Sequence, residues 1–504
     1  MTDTSSIARP LRRAGPARHL LGTSPLAVAA LLAVVLGLAL RLFALPDMPF
    51  WLDEAWTGAV IASDSFATML HRALLDPNAP LYFVVTYGWS LLFGLSNGAV
   101  RSVSLLFGML APLLALIPVK GIPRDTRYLW CVLLALWSPG LFYSQEARCY
   151  TLLLFVATAC TIAYVRLLQQ PDLRRAALWA FLGTLCLLTH YHAFVLLGLQ
   201  GLAYLAMHRG RALRTWPAAL LFAPAFSWSF IHLPLVVRHA DPQFAWYDQL
   251  SVAGLPDVMF FLLGGLPVVV GLVSLALIPL IVRSPSGATV PEAGTSQTPC
   301  WVAAATAALG TIIVLAVAML STSFTNRYLI AFVPGLMLGI AMAAVALGRR
   351  HAIIPIGVAL VFGATAATRA IEVRGQTLKI YNFQAASDML MAANVRNLVF
   401  LYDNPTGPLF PPDQLAALGG FFLKRAGSSA VVEGLSVRAG DDPNALVLAA
   451  ASGRPQGGIL WIYDTAVRGT AATSYPPRIE QIDPAWQCRQ FGRDGIGVVA
   501  CIRR

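Results

Sequence analysis

The sequence predicts an all-α polytopic membrane bundle of about eleven spans, followed by a small α/β domain at the carboxyl end. Three observations carry this. Hydrophobic residues make up 57% of the 504 positions and charged ones only 12%, about half the charged share of a soluble domain. Apolar runs near 20 residues recur between Ser24 and Arg369, each enough to cross roughly 30 Å of hydrocarbon. After Arg369 charge, Gly and Pro all rise, which marks a change of solvent. A net charge of +12 does not call for nucleic acid, because the basic residues sit in short loops between the apolar runs.

Residues 1–24 are a basic tail. Within a bilayer every backbone N–H and C=O needs an internal partner, so the apolar runs read as helices. They fall at 25–45, 100–119, 128–143, 148–166, 176–190, 193–207, 214–237, 257–282, 300–320, 328–348 and 352–369. The first starts 25 residues in and many others follow, so it reads as a span and not a cleaved leader. The run 79–95 is shorter, and Asn78, Tyr82, Thr86 and Ser90 recur every four residues. That polar stripe suits an interface helix. With 79–95 left out of the membrane, sixteen Lys and Arg fall in the loops of one side. The other side's short segments hold only Arg72, Arg101, Arg148, Arg238 and Arg327. Positive loops stay in the cytoplasm, so the amino terminus is inside. The loop 46–99 and the domain 371–504 are outside, flanking a membrane domain over 25–370.

The chemically versatile segments share the outer side. Loop 46–99 opens with Trp51-Leu52-Asp53-Glu54-Ala55-Trp56. Further on, Asp64–Asp76 puts Phe66, Met69, Leu70, Ala73 and Leu74 on one helical face, which predicts a helix lying on the membrane surface. An adjacent acid pair by itself reads as a solvated loop between interface-anchoring tryptophans. Held beneath a folded-back loop and partly desolvated, it suits a general base. Glu146 and Arg148 occupy a short gap between spans. Arg101 heads the second span, Arg41 lies near the end of the first, and Arg327-Tyr328 open the tenth. Each arginine either snorkels to the interface or faces an anion. Several together would suit a phosphate, whose oxygens the guanidinium fork meets bidentately. His190 and His192 straddle Tyr191 at a tight corner and diverge if helical, which disfavours a shared metal. Carboxylate oxygens such as those of Asp53 and Glu146 leave a divalent cation, Mg or Mn, open. Phe244, Trp246 and Tyr247 read either as interface anchors or as lining for an isoprenoid chain.

In the carboxyl domain Leu398–Asp403 and Gly458–Asp464 read as buried strands and Pro412–Leu423 as a helix. Residues 487–503 read as a hairpin about Asp494-Gly495. Its register sets Cys488 opposite Cys501 at a non-hydrogen-bonded position, with Cα atoms about 4.5 Å apart. That spacing accepts a disulfide, and an outward location would let it form; the alternative is two reduced thiols. The other five cysteines lie in or beside spans as packing residues.

Taken together these motifs resemble the multispan GT-C glycosyltransferases, nearest the bacterial branch related to protein O-mannosyltransferases and lipid A aminoarabinose transferases. The resemblance rests on Trp51-x-Asp53-Glu54, Pro80-Leu81-Tyr82, the span led by Arg101, and Ser144-Gln145-Glu146-Ala147-Arg148-x-Tyr150. It covers about residues 25–335. It implies a bundle with an outer cavity under juxtamembrane helices. It also implies a polyprenyl-phosphate-linked sugar donor and transfer to a glycan, lipid or protein hydroxyl outside the bacterial inner membrane; attack opposite the phosphate would invert the anomeric carbon. By matching motif, Asp53 would be the base with Glu54 its neighbour, and Glu146 a second acid. Arg101, Arg148, Arg327 and Tyr328 would face the donor phosphate, and Trp51, Tyr82, His190 and His192 would line the cavity. One departure is that Asn78-Ala79 stands where the family commonly has His-Pro. Two other classes share such a composition: a flippase for a lipid-linked sugar, and a non-catalytic envelope assembly protein with the same fold. A flippase should carry mid-membrane ionisable residues and repeated halves, and the sequence has neither.

Overall fold

The computed structural model describes residues 24–43, 49–240, 249–281, 296–321, 324–375, 383–404, 410–438, 440–464, 478–491 and 496–503. The basic tail up to Thr23, Phe244, Trp246, Tyr247 and the Asp494-Gly495 turn lie outside them. The bundle begins with α1 (Pro25–Phe43) and continues through an outer loop holding α2 (Leu52–Ile61), α3 (Phe66–Leu74) and α4 (Leu81–Phe93). Thirteen residues of α4 reach about 20 Å, short of a crossing. Next come α5 (Asn97–Leu114), α6 (Arg124–Leu136), α7 (Ser138–Tyr143), α8 (Tyr150–Gln169), α9 (Leu173–Thr189) and α10 (Ala193–His208). A short α11 (Gly210–Leu213) precedes α12 (Ala223–Ala240), α13 (Leu255–Leu263), α14 (Leu266–Ile281), α15 (Thr298–Ala318), α16 (Val333–Gly348) and α17 (Ile353–Gly375). The described part of each of the eleven predicted runs is mainly helical. Among the described residues seven helices are long and apolar enough to cross a membrane, or eight if α13 and α14 count as one.

Two predicted spans are broken, each for a backbone reason. α13 and α14 meet at 78° where Gly264 and Gly265 take φ values of 100° and 144°, open to glycine alone at little cost. The run 128–143 divides between α6 and α7 at Trp137. Residue 139 is proline and has no N–H to give the carbonyl four residues back. Arg41, 1% exposed, supplies it: Nη1 donates to the Ala135 carbonyl at 3.0 Å, and Nε donates to Ser144 Oγ at 2.9 Å. Arg41 is therefore a helix-break staple turned inward.

The carboxyl domain contains α18 (Phe383–Ala392), β1 (Asn397–Asp403), α19 (Pro412–Arg425), β2 (Val431–Ser436), α20 (Pro443–Ala451), β3 (Gly457–Asp464), β4 (Trp486–Phe491) and β5 (Ile496–Arg503). Strand order is β2-β1-β3-β5-β4. β1 runs parallel to β2 and β3, and β5 antiparallel to β3 and β4. Cys488 faces Cys501 in the β4–β5 ladder, Cα atoms 4.0 Å apart, and the two are disulfide-bonded. α18 and α19 cover the sheet face that shares one apolar core with α2, α3 and α4, while α20 covers the other. On the apolar face of α3, Met69 and Ala73 are fully buried in this core, whereas Phe66 at its start is 51% exposed. α19 is the main contact. Its Phe421 ring lies over Gly58, where a Cβ would come within 2.4 Å of it, and stacks on Phe50 with centroids 6.1 Å apart. Arg425 donates to Asn97 at 2.6 Å, and Gln414 donates to the Leu75 carbonyl at 3.3 Å.

Candidate active site

α2 sets the acid pair. The Trp51 N–H at its start donates to Glu54 Oε2 at 3.3 Å, a reach-back of the capping-box kind, and both acids occupy the first turn, where the helix dipole favours negative charge. Adjacent helical positions face about 100° apart, so the two acids meet different partners. Glu54, 1% exposed, is closed by Arg101, with Nε at 2.7 Å and Nη2 at 2.6 Å, and by the Ala147 N–H at 2.8 Å. Arg101 also donates to the Pro49 carbonyl at 3.2 Å. The structure therefore brings Arg101 to Glu54, which ties α5 through Arg101 and the 144–149 segment through Ala147 to α2, rather than to Asp53 with the other arginines.

Asp53, 9% exposed, faces two guanidiniums through one oxygen. Arg327 Nη1 lies 3.5 Å and Arg148 Nη2 3.9 Å from Oδ2. Arg148 Nη1 also donates to the Asp53 carbonyl at 3.2 Å, and its Nε is buried with no acceptor. Burial works against the Arg148 charge, and the acids around it, Asp53 first and Asp76 after it, carry its pKa above the ordinary arginine value. Arg327 lies over the Tyr150 ring, 5.4 Å from its centroid. Glu146 is buried, and its carbonyl accepts the Arg148 N–H at 2.8 Å.

Tyr328 stacks on His192 at 4.3 Å and meets His190 at 5.2 Å. Both imidazoles are held neutral. Burial, then His192 and Arg327, keeps His190 well below the usual histidine value, and burial puts His192 at about 4. Tyr82 is buried and acts from behind. Its hydroxyl pairs with Ser104 Oγ at 2.9 Å, and Ser104 donates to the Arg148 carbonyl at 3.1 Å.

Tyr150 closes the second outer motif, and the fold gives it a place under Arg327. Two other participants escape sequence reasoning. Ser104 is an ordinary span residue until folded against the Arg148 carbonyl. Asp76, 4% exposed, accepts the Asn78 backbone N–H at 2.9 Å and Asn78 Nδ2 at 2.6 Å through Oδ1; the Asp-Pro-Asn turn ahead of a helix was its only signal. A groove of about 850 Å³ lined by Ser96, Asn97, Lys424 and Arg425, among others, lies at the α5–α19 junction and shares no lining residue with this cluster. Among the described residues no three His, Cys, Asp or Glu side chains cluster as metal ligands. The Asp53 carboxylate meets the guanidiniums of Arg148 and Arg327.

An outer loop folded over a helical bundle, with buried ion pairs beneath it and a small sheet domain above, has solved counterparts. ArnT from Cupriavidus metallidurans in the apo state superimposes with a TM-score of 0.59 at 14% identity. The same protein bound to undecaprenyl phosphate gives 0.58 at 12% identity. Each comparison covers 94% of this chain and 97% of ArnT. This is the GT-C fold. The likeness includes the carboxyl domain, which the sequence motifs did not reach. No family model and no curated protein matches the chain. Within that fold the ionic cluster occupies the seam between the first outer loop, the starts of α5 and α8, and the 3-10 turn Asn326–Phe332 ahead of α16.

Proposed function

We propose that this membrane protein transfers a sugar from a polyprenyl-phosphate-linked donor to an acceptor hydroxyl on the outer membrane face. The observation that carries the reading is the Arg148–Arg327 pair. A buried guanidinium, Arg148, and a partly buried one, Arg327, come from separate elements to share a single carboxylate oxygen, and one N–H of Arg148 has no acceptor. A phosphate can satisfy both forks bidentately. Support comes from the ArnT fold, one of whose structures holds undecaprenyl phosphate. Orientation of the loop to the outside rests on the loop-charge asymmetry, to which the Cys488–Cys501 disulfide adds the oxidising compartment.

The roles follow from position. The donor phosphate sits between Arg148 and Arg327, and its lipid tail stays in the bilayer. The acceptor hydroxyl gives its proton to Asp53 as its oxygen attacks the anomeric carbon. The bond to the phosphate oxygen breaks with its electron pair, and the two guanidiniums take up the charge that leaves. Fixed charges in a water-poor seam stabilise that change without reorganising. Tyr328 and the neutral His192 form a flat wall beside Arg327. Glu54 and Arg101 hold the loop in place.

Mass spectrometry of envelope glycans from cells with and without the protein tests the reading. A glycan present only with the protein, and lost with Asp53→Asn, is expected. In a purified assay on that acceptor the same change should lower kcat by about 10²–10⁴-fold, the usual worth of a general base. Identical glycans in all three strains would overturn it.

A further inference from the structure

The two neighbouring acids are held in very different ways. Glu54 takes four donors, two of them from Arg101 at 2.6 and 2.7 Å, the length of charge-assisted bonds. Asp53 offers one oxygen to two guanidiniums at 3.5 and 3.9 Å, and Arg148 Nε, on a side chain 7% exposed, has no acceptor. Glu54 is locked. Asp53 is a loose resident on cations that a better-shaped anion would satisfy more fully.

We propose that Asp53 and the donor phosphate compete for Arg148 and Arg327, so that the base is masked until the donor is bound. This rests on the reading above and adds its order. Without donor, Asp53 Oδ2 neutralises the two guanidiniums. The donor's phosphodiester, with one negative charge and two unesterified oxygens, takes both forks and the idle Nε–H. Asp53 is released with both oxygens free to accept the hydroxyl proton. That proton passes to Asp53, the new carbon–oxygen bond forms, and the old one breaks to give polyprenyl phosphate. When the lipid phosphate leaves, Asp53 loses its proton to water and recaptures the arginines. The loop thus has no working base while the acceptor alone is present, and the donor must bind first.

The competition has a consequence that a simple catalytic role lacks. Asp53→Asn removes the resident anion, so it should bind undecaprenyl phosphate more tightly than wild type, about tenfold, while turnover is lost. The probe is undecaprenyl phosphate in phosphatidylcholine vesicles, titrated against the full-length protein. The cycle with Arg148→Met separates exchange from distant charge: in that background the gain from Asp53→Asn should largely vanish. Equal or weaker binding by Asp53→Asn overturns the exchange, and so does a gain that survives Arg148→Met. Asp53→Ser repeats the titration should the amide variant not fold. If wild type binds no undecaprenyl phosphate at all, the functional reading itself fails. If it binds and the cycle fails, only the masking does.

Discussion

On its bundle side the outer loop is held by charge: Glu54 on Arg101, and Asp53 beside Arg148 and Arg327. On its tail side an exposed Lys424–Asp64 pair adds little, and aromatic packing does the holding, with Phe421 over Gly58 and stacked on Phe50, and Trp56 against Phe410 at 4.9 Å. The difference separates what can move from what cannot. A charged contact at 3.5 Å exchanges for another anion, whereas rings packed at interior density resist displacement. The carboxyl domain is therefore the fixed wall behind α2, and the ionic seam is on the other face of the same helix. Removing residues 375–504 would strip that wall, so a truncated chain reports on loop stability as well as on acceptor recognition.

The largest effect should come from breaking the ionic grip at its tight point. Glu54→Gln removes the buried carboxylate charge that takes two Arg101 N–H groups, an expected loss of about 3–5 kcal/mol. Thermal unfolding of the detergent-purified protein measures it. The double change Glu54→Gln with Arg101→Met removes both charges of the pair, keeps an acceptor for the Ala147 N–H, and should recover most of the loss. A wild-type midpoint for Glu54→Gln alone would mean that the pair does not hold the loop.

Acid should loosen the same side more gradually. His192 is neutral in the fold down to about pH 4, while the unfolded chain takes up the proton near 6.5. The unfolded state thus binds more protons between those values. Stability is complete above pH 6.5 and falls as pH drops toward 4, by roughly 3 kcal/mol for this residue at 1.36 kcal/mol per unit. His190, held low by burial and by Arg327, adds to the fall. Unfolding midpoints across pH 7 to 4 read the slope, which His192→Gln should reduce. An unchanged slope in that variant would place the acid sensitivity elsewhere.

Legibility differs between these regions for a physical reason. The spans announce themselves because lipid demands long apolar runs, and the Cys488–Cys501 register follows from counting outward from a turn. Asp53, Arg148 and Arg327 are recognisable as chemically capable from their place in outer loops. Their partnership is not, because Arg327 is 274 residues from Asp53. Arg101 illustrates the limit: its position at a span head suits a phosphate, and only the fold assigns it to Glu54. The grip of α19 on α2 is equally silent, since a phenylalanine in an amphipathic helix reads as core without saying whose core. The break at Trp137 was present as Pro139, but its repair by Arg41 was not.

The smallest effect tests the aromatic grip. A Cβ at Gly58 would stand 2.4 to 2.7 Å from three atoms of the Phe421 ring, closer than packed carbons approach. Alanine favours a helix over glycine by about 1 kcal/mol, so an uncontacted position would gain from Gly58→Ala. Overpacking costs about 1–3 kcal/mol, and a net loss of about 1 kcal/mol is expected here. Phe421→Leu alone should also destabilise, by leaving space, yet with Gly58→Ala the smaller side chain makes room for the methyl. The two losses should then sum to more than the double variant shows, a coupling that unfolding midpoints of the four proteins can read. Strict additivity would mean that Phe421 does not press on α2, and the carboxyl domain would lose its part in fixing the acids one turn away.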